Sequence, residues 1–319
     1  MMKLVFLDAN TLGHADLSVF EQFGEFTVHQ TTEPVQRIER IRGHEVVIVN
    51  KSAIDREVID ACPEMKLVCV AATGMNNIDL DYAGKKGLVV KNVAGYSTQS
   101  VVQVTFASIL SLLCRIPYFD QYVKSGTYAE SPIFTHYGRE FWQLSGKKFG
   151  IIGLGNIGMQ VARVAEAFGC AVSYYSSSGK NDRKDYQRTE LEPLLAESNI
   201  VSIHAPLNEN TRGLINYRRI SLMKKAALLV NMGRGGIIVE ADLVRALNEG
   251  LLGGAAIDVF EKEPLALNHP YLSVNEPERL ILTPHIAWAS VEARELLVRK
   301  MAGNVADYML QKTGDRLKS

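Results

Sequence analysis

Short runs of apolar, often β-branched residues alternate with amphipathic helical patterns along almost the whole chain. This alternation is typical of parallel sheets whose faces are covered by helices. In the first third of the chain, helical patterns such as Pro34–Arg42 and Asp55–Ala61 separate the predicted strands. Those strands are Lys3–Asp8, Glu25–His29, Val46–Asn50, Leu67–Ala71 and Leu88–Lys91. The pattern predicts a compact α/β domain.

A second α/β series follows a single long helix, which is predicted from Ser97 to about Tyr122, and a loop over 127–145. Its predicted strands are Lys148–Ile152, Ala171–Tyr175, Ile200–His204, Ala226–Asn231, Gly254–Asp258 and Leu280–Thr283. A last helix is predicted over about Ala289–Leu310. Because this helix has no third domain to join, the simplest arrangement packs it on the first domain. We therefore expect two doubly wound parallel-sheet domains, with 99–289 inserted into a domain made of 1–98 and 290–319.

Composition narrows the functional classes. The 319 residues include 35 Lys and Arg against 35 Asp and Glu, a balance that argues against a surface for nucleic acid or anionic membranes. The four cysteines form no CxxC pair and no Cys/His cluster with metal-ligand spacing, so no metal site is expected. Asp8 interrupts the N-terminal apolar run, and no apolar stretch approaches the roughly 18 residues of a membrane helix. We expect a cytoplasmic protein.

The sharpest local motif is a GxGxxG turn between a predicted strand and a predicted helix. Gly153 permits the tight turn, Gly155 lets the backbone approach a pyrophosphate, and Gly158 lets the helix pack closely on the strand. The helix start, with Asn156 and Ile157, offers free N–H groups to negative charge. Strand, turn, helix and next strand in this order predict a dinucleotide-binding site.

The next predicted strand lacks the carboxylate that usually holds the ribose 2′-hydroxyl of NAD, roughly 20 residues after the turn. Ser176 stands 18 residues after Gly158, Ser177 and Ser178 follow it, and Lys180 and Arg183 lie nearby. Hydroxyls and cations can accept a 2′-phosphate, which favours NADPH over NADH. The alternative is an ordinary polar turn that tolerates either cofactor.

Three further segments lie at predicted strand ends, which face the ligand crevice in open α/β sheets. They carry Arg234 in NMGRG, Asp258 and Glu263 in DVFEKEP, and His285 in TPHIAW. Reduction of a keto acid needs a cation for the carboxylate and an acid that protonates the new alkoxide. Each segment alone is as easily an ordinary loop, but the set supplies both groups.

This ordered set resembles the D-isomer-specific 2-hydroxyacid dehydrogenases, in which NxxRG, DVFxxEP and TPHI occur in the same order over nearly the whole chain. The resemblance implies a Rossmann nucleotide-binding domain inserted into a flavodoxin-like substrate domain. It implies that Arg234 binds the substrate carboxylate and keto oxygen and that His285 transfers the proton. Glu263 would bond to His285 and stabilise its imidazolium form.

The resemblance also implies the remaining contacts. The cofactor would meet Asp258 near the nicotinamide, together with Val101, His204, Ala205, Pro206, Thr211, Met232 and Gly233. The substrate would meet Thr73, Gly74 and Met75, whose loop is similar to the family's carboxylate cradle, and Trp288. The family often has Glu and then His after the Ser-Val step, where this chain has Gln103 and Val104. This departure concerns the packing near the nicotinamide and removes none of the three catalytic groups.

Ser131-Pro-Ile-Phe134 and Trp288 are similar to the glycerate dehydrogenase (hydroxypyruvate reductase) branch, which implies hydroxypyruvate or glyoxylate as substrate. D-Lactate or bulkier substrates and 3-phosphoglycerate remain alternatives within the family. A non-catalytic NAD(H)-sensing protein is the alternative from another class. Phe106, Ile109, Leu110 and Leu113 give the long helix more apolar surface than one core needs, which indicates either burial between domains or a homodimer interface, and the resemblance favours the homodimer.

Overall fold

The computed structural model describes residues 1–180 and 182–316 of the chain. By their internal contacts these residues divide into two compact units. The first consists of Met1–Ser97 together with the C-terminal segment that starts at Ala289, and the second is Thr98–Trp288. The chain thus leaves the first unit, builds the second without interruption, and returns to the first at its end.

The first unit is built on five parallel strands, β1 (Met2–Phe6), β2 (Gly24–Val28), β3 (Val46–Val49), β4 (Leu67–Val70) and β5 (Val89–Lys91). Their order in the sheet is β2-β1-β3-β4-β5, the flavodoxin-like arrangement. Every residue of β3 and β4 is buried, as expected for central strands covered on both faces. The helices of this unit are α1 (Arg37–Ile41), α2 (Arg56–Ala61), α3 (Leu80–Lys85) and the C-terminal helix Val291–Arg316.

Buried polar side chains fix the loops at the carboxyl edge of this first sheet. The carboxylate of Asp8, which is 6% exposed, accepts the backbone N–H groups of Asn50 (2.8 Å), Lys51 (2.8 Å) and Ser52 (2.7 Å). The side-chain amide of Asn77 donates to the Ser52 carbonyl at 2.9 Å. Hydrogen bonds therefore hold the loop after β3 to both the loop after β1 and the loop after β4.

The second unit contains seven parallel strands, β6 (Lys148–Ile152), β7 (Ala171–Tyr175), β8 (Gln187–Arg188), β9 (Ile200–Ile203), β10 (Leu228–Asn231), β11 (Gly254–Ile257) and β12 (Leu280–Leu282). The order is β12-β11-β10-β9-β6-β7-β8. The direction of winding reverses between β6 and β9, and open α/β sheets bind ligands at such a switch point. Both parallel sheets confirm the predicted fold class.

Among the described residues, the second unit has six α-helices: α4 (Thr98–Cys114), α5 (Ile116–Lys124), α6 (Asn156–Ala167), α7 (Leu191–Glu197), α8 (Tyr217–Ile220) and α9 (Glu240–Asn248). Two apolar clusters fill the space between helices and sheet. One includes buried residues of α4 and α6, and the other includes buried residues of α7, α8 and α9. This places a helical layer on each face, as in a Rossmann domain.

The prediction of a single long helix from Ser97 is wrong, because the structure has two helices here. The helix ends at Cys114, Arg115 adopts a left-handed conformation with φ of 53°, and α5 then leaves with a bend of 58°. Pro117 explains the break, because it has no amide hydrogen and its ring collides with the preceding helical turn. Among the described residues, no single helix is long and apolar enough to cross a membrane; α4 and α5 pass that test only when they are counted together.

Candidate active site

The carboxyl edge of the seven-stranded sheet collects the three segments that were expected to carry chemistry. Strands β10, β11 and β12 are direct neighbours, paired in parallel. Arg234 therefore follows β10, Asp258 follows β11, and His285 follows β12, on three adjacent strand ends. Residues distant in sequence meet here because parallel strands all end at one edge.

His285 forms a hydrogen-bonded pair with Glu263. The ring Nδ1 lies 2.8 Å from Oε2 of Glu263, and the other carboxylate oxygen of Glu263 accepts the N–H of Phe260 at 3.0 Å. The two side chains are 26% and 30% exposed, so the pair is accessible from solvent. With Nδ1 directed at the carboxylate, Nε2 is the nitrogen that can face a substrate.

The backbone conformation of His285 is unusual. Its φ is 54°, the left-handed region that residues with a Cβ seldom adopt. The N–H of His285 donates to the carbonyls of Asp258 (2.8 Å) and Thr283 (3.0 Å). Such a conformation persists when its surroundings determine it fully, and it is common at functional sites.

The Asp258 carboxylate supplies the rest of that support. It is 1% exposed and accepts hydrogen bonds from the Thr283 hydroxyl (2.6 Å) and from the backbone N–H groups of Ile286 and Ala287, both at 2.9 Å. Burial raises the pKa of Asp258, while the hydrogen bonds from Thr283, Ala287 and Ile286 act against that rise. The carboxylate predicted as a cofactor contact thus has three partners within the His285 turn.

A buried amide fixes the turn that carries Arg234. Asn231, which is 1% exposed, donates from its side chain to the Arg234 carbonyl at 2.9 Å and accepts the Gly233 N–H at 3.0 Å. The Arg234 guanidinium donates to the Gly233 carbonyl at 2.8 Å. The motifs in the sequence did not single out Asn231, although an Asn at a strand end before a glycine-rich turn is a known turn signal.

The glycine-rich turn after β6 fits a nicotinamide dinucleotide. Gly153 has φ of 93° and approaches the strand end after β9 so closely that an added Cβ would lie 2.9 Å from Cα of Ala205. A Cβ on Gly155 would meet nothing within 4 Å, so space is open beside the backbone. Helix α6 begins there without a side-chain cap, which leaves its first N–H groups directed at that space.

The other predicted cofactor residues divide into two groups. Ser177 is half-buried at the end of β7, His204 is half-buried after β9, and Pro206 is exposed. The second group lies inside the protein: Val101, Ser176, Ala205, Thr211 and Met232 are buried. Within the described residues, the Thr211 hydroxyl donates to the Pro206 carbonyl at 2.7 Å and accepts the N–H of Asn208 at 2.8 Å, which fixes its own loop. These cofactor contacts remain predictions.

His204 is held in its neutral form. Burial lowers its pKa to about 3, and its Nε2 pairs with the Ser202 hydroxyl at 2.8 Å. Its Nδ1 is buried and has no hydrogen-bond partner among the described residues. A neutral imidazole adds no charge beside the glycine-rich turn.

The predicted substrate loop belongs to the first unit. Thr73, Gly74 and Met75 follow β4, and the Thr73 hydroxyl donates to the Val93 carbonyl at 2.9 Å. Met75 and Asn76 line an open cavity with residues of the start of α3. Trp288, in the second unit, packs partly buried against the cluster that includes α4 and α6. Their substrate contacts remain predictions.

Comparison with known proteins agrees with this geometry. Residues 106–287 match the family model described as D-isomer specific 2-hydroxyacid dehydrogenase, NAD binding domain. The chain is 34% identical to a hydroxypyruvate reductase of Blautia hydrogenotrophica and 32% identical to a glycerate dehydrogenase of Methylorubrum extorquens, over 97% of each chain in both cases. The structure matches D-lactate dehydrogenase of Aquifex aeolicus, solved with NAD and lactic acid, with a TM-score of 0.84, 27% identity, and coverage of 98% of this chain and 96% of that one.

The chain belongs to the D-isomer specific 2-hydroxyacid dehydrogenase family. It is an oxidoreductase that acts on CH–OH groups with a nicotinamide cofactor, and its seven-stranded unit is the NAD-binding domain.

Two glycine substitutions test the dinucleotide site. Gly155→Ala places a methyl group in open space, so we expect unchanged thermal stability and NAD(P)H binding weakened about tenfold, ~1.4 kcal/mol. Gly158→Ala is the matched control, because its Cβ would lie 2.2 Å from the Gly153 carbonyl and should lower stability by about 1–3 kcal/mol. Fluorescence titration and calorimetry measure the two quantities. Undiminished NAD(P)H affinity in Gly155→Ala would contradict the assignment.

Proposed function

We propose that this protein reduces hydroxypyruvate and glyoxylate to D-glycerate and glycolate, with Arg234, His285 and Glu263 as the catalytic residues. The observation that carries the proposal is the His285–Glu263 pair. His285 lies on the turn after β12 that Asp258 fixes, and Asp258 and Arg234 follow the next two strands, β11 and β10. The names of two relatives, a hydroxypyruvate reductase and a glycerate dehydrogenase, support the choice of substrate.

Arg234 binds the keto acid in this proposal. Its guanidinium is always charged and presents parallel N–H groups that suit a carboxylate and the adjacent keto oxygen. Asn231 fixes the backbone at both Gly233 and Arg234, so little freedom of the turn is lost when substrate binds. The cation also polarises the carbonyl and stabilises the negative charge that develops on its oxygen.

His285 donates the proton to that oxygen. The hydride for the keto carbon would come from the nicotinamide of the cofactor when it is bound. Because Nδ1 is paired with Glu263, Nε2 faces the substrate, and the carboxylate stabilises the imidazolium that serves as the acid. In the direction of oxidation, the neutral ring accepts the proton from the 2-hydroxyl group.

We further propose that NADPH is preferred over NADH. The end of β7 has Ser176 and Ser177 where a carboxylate would repel a 2′-phosphate, and Lys180 and Arg183 are exposed just beyond it. The N–H of Arg183 donates to the hydroxyl of the buried Tyr174 at 2.8 Å, which fixes the segment that carries this cation. The charge distribution therefore suits a phosphate better than a bare ribose.

We also propose a homodimer, through a surface different from the one that the sequence indicated. Phe106, Ile109 and Leu113 are buried within the second unit, and Leu110 is partly buried against the same cluster, so α4 serves its own core. Exposed apolar side chains instead follow the break at Arg115: Ile116, Val123, Ile133, Phe134, Tyr137 and Phe141. A concentration of exposed apolar side chains in one segment is typical of a protein interface.

The substrate assignment is tested by steady-state oxidation of NADPH and NADH with hydroxypyruvate, glyoxylate, pyruvate and phenylpyruvate. We expect the highest kcat/KM with hydroxypyruvate. Arg234→Gln should lower it at least a hundredfold and His285→Ala about a thousandfold, with NAD(P)H affinity unchanged in both. Preference for another keto acid would contradict the substrate. Wild-type activity in either variant would contradict its role, and NADH binding without any turnover would favour a sensing protein.

Cofactor preference is tested with Ser176→Asp. A carboxylate at the end of β7 should lower kcat/KM for NADPH relative to NADH by about tenfold, ~1.4 kcal/mol, because it repels the 2′-phosphate. Ser221→Asp, which adds the same charge at an exposed position after α8, is the control and should leave the ratio unchanged. If the ratio does not move in Ser176→Asp, the interpretation of this turn is wrong.

A further inference from the structure

The segment between β11 and β12 carries Glu263 and contains only short 3₁₀ turns, so its conformation depends on side-chain anchors. Glu263 itself is tied to the N–H of Phe260 through Oε1. The neighbouring N–H, that of Glu261, donates at 2.8 Å to Oε1 of Glu240, the first residue of α9. Glu240 thus holds the backbone two residues before Glu263.

A second hydrogen bond fixes Glu240. Its Oε2 lies 2.8 Å from Nε2 of His269, a residue farther along the same segment, and the two side chains are only 13% and 9% exposed. Nδ1 of His269 accepts the N–H of Tyr271 at 3.2 Å. Phe260 and Tyr271 pack around the His269 ring, with ring centroids at 6.1 and 4.9 Å.

The hydrogen-bond donors and acceptors permit one arrangement of protons. Nδ1 of His269 accepts a backbone N–H and therefore carries no hydrogen, so Nε2 carries it and donates to Glu240. Both oxygens of Glu240 then accept, one from His269 and one from the Glu261 N–H. A carboxylate accepts through both of its oxygens, whereas a Gln side chain would turn its NH₂ group toward one of the two donors.

We infer that Glu240 and His269 form a positioning pair for the catalytic acid–base centre: they hold the segment in the conformation that directs Glu263 at His285. The inference rests on the proposed roles of Glu263 and His285. Glu240 and His269 contact neither cofactor nor substrate in this account. They act through one continuous series of contacts, from His269 to Glu240, to the Glu261 and Phe260 amides, to Glu263 and so to His285.

Glu261 and Tyr271 bring other titratable side chains to the pair. Glu261 contributes its backbone, and its carboxylate lies 3.9 Å from the Arg212 guanidinium. Tyr271 is buried beside it; burial and the charge of Glu240 both raise the pKa of its hydroxyl, which stays protonated. Neither Arg212 nor Tyr271 can replace the acceptor that Glu240 offers to the Glu261 N–H, because both side chains are donors at neutral pH.

The first test is Glu240→Gln, measured as kcat and KM for keto-acid reduction. We expect kcat to fall about tenfold with little change in KM, because a misplaced Glu263 no longer orients the His285 ring toward the reacting oxygen. NAD(P)H affinity should not change. Glu249→Gln is the matched control: it removes the charge from an ion pair with Arg245, at the residue directly after α9, and should leave both constants unchanged.

A double-mutant cycle separates this inference from the proposed function. In a Glu263→Gln background, Glu240→Gln should have no further effect on kcat/KM, because the two residues act through one contact series. Additive effects, or a lower melting temperature with unchanged kcat and KM, would overturn the positioning role. Full activity of Glu263→Gln alone would instead refute the proposed function.

A third test uses the wild-type protein, so its outcome does not depend on whether a variant folds. The ¹⁵N NMR shifts of the His269 ring should report hydrogen on Nε2 and none on Nδ1 at pH 7.5. The opposite tautomer or a doubly protonated ring would overturn the inference, since the Tyr271 N–H and Glu240 could not then both be satisfied.

Discussion

Asp258 accepts four hydrogen bonds from the turn after β12. Its carboxylate accepts three of them, and its backbone carbonyl accepts the fourth, from the N–H of His285. This interaction holds His285 at a positive φ that a residue with a Cβ would otherwise leave, at a cost of the order of 1–3 kcal/mol. Burial of a charge inside the sheet edge is itself unfavourable, as the raised pKa of Asp258 indicates. The hydrogen bonds offset both costs and fix the orientation of the His285 imidazole.

Each of the other catalytic side chains also stands on a loop that a polar side chain fixes through hydrogen bonds to the backbone. Asn231 ties down the turn that presents Arg234, and Glu240 with His269 anchors the segment that presents Glu263. Each support is a buried or largely buried polar group that bonds to backbone atoms, so it fixes a loop without touching the reacting atoms. The strands bring the three loops to one edge, and these buried groups determine the direction of each side chain. Rigid support of this kind reduces the reorganisation needed when charge develops in the transition state.

The sequence predicted the fold class and most strands, because buried parallel strands are continuous apolar runs and glycine-rich turns mark their ends. It also predicted the pairing of Glu263 with His285 through resemblance. It did not predict the break at Arg115, since the apolar pattern continues through it and only Pro117 signals the end. Long-range partners such as Asp258 with Ala287, or Glu240 with His269, have no signature in spacing, because the tertiary fold alone brings them together.

Transfer of deuterium from nicotinamide-deuterated NADPH to hydroxypyruvate tests the central claim most directly. The claim is that Arg234 and His285 present the C2 carbonyl to the cofactor in one orientation. The account predicts deuterium at C2 of D-glycerate, detected by NMR and chiral chromatography, with formation of that product largely abolished in His285→Ala. Deuterium in L-glycerate, deuterium at another carbon, or equal product formation in His285→Ala would contradict it.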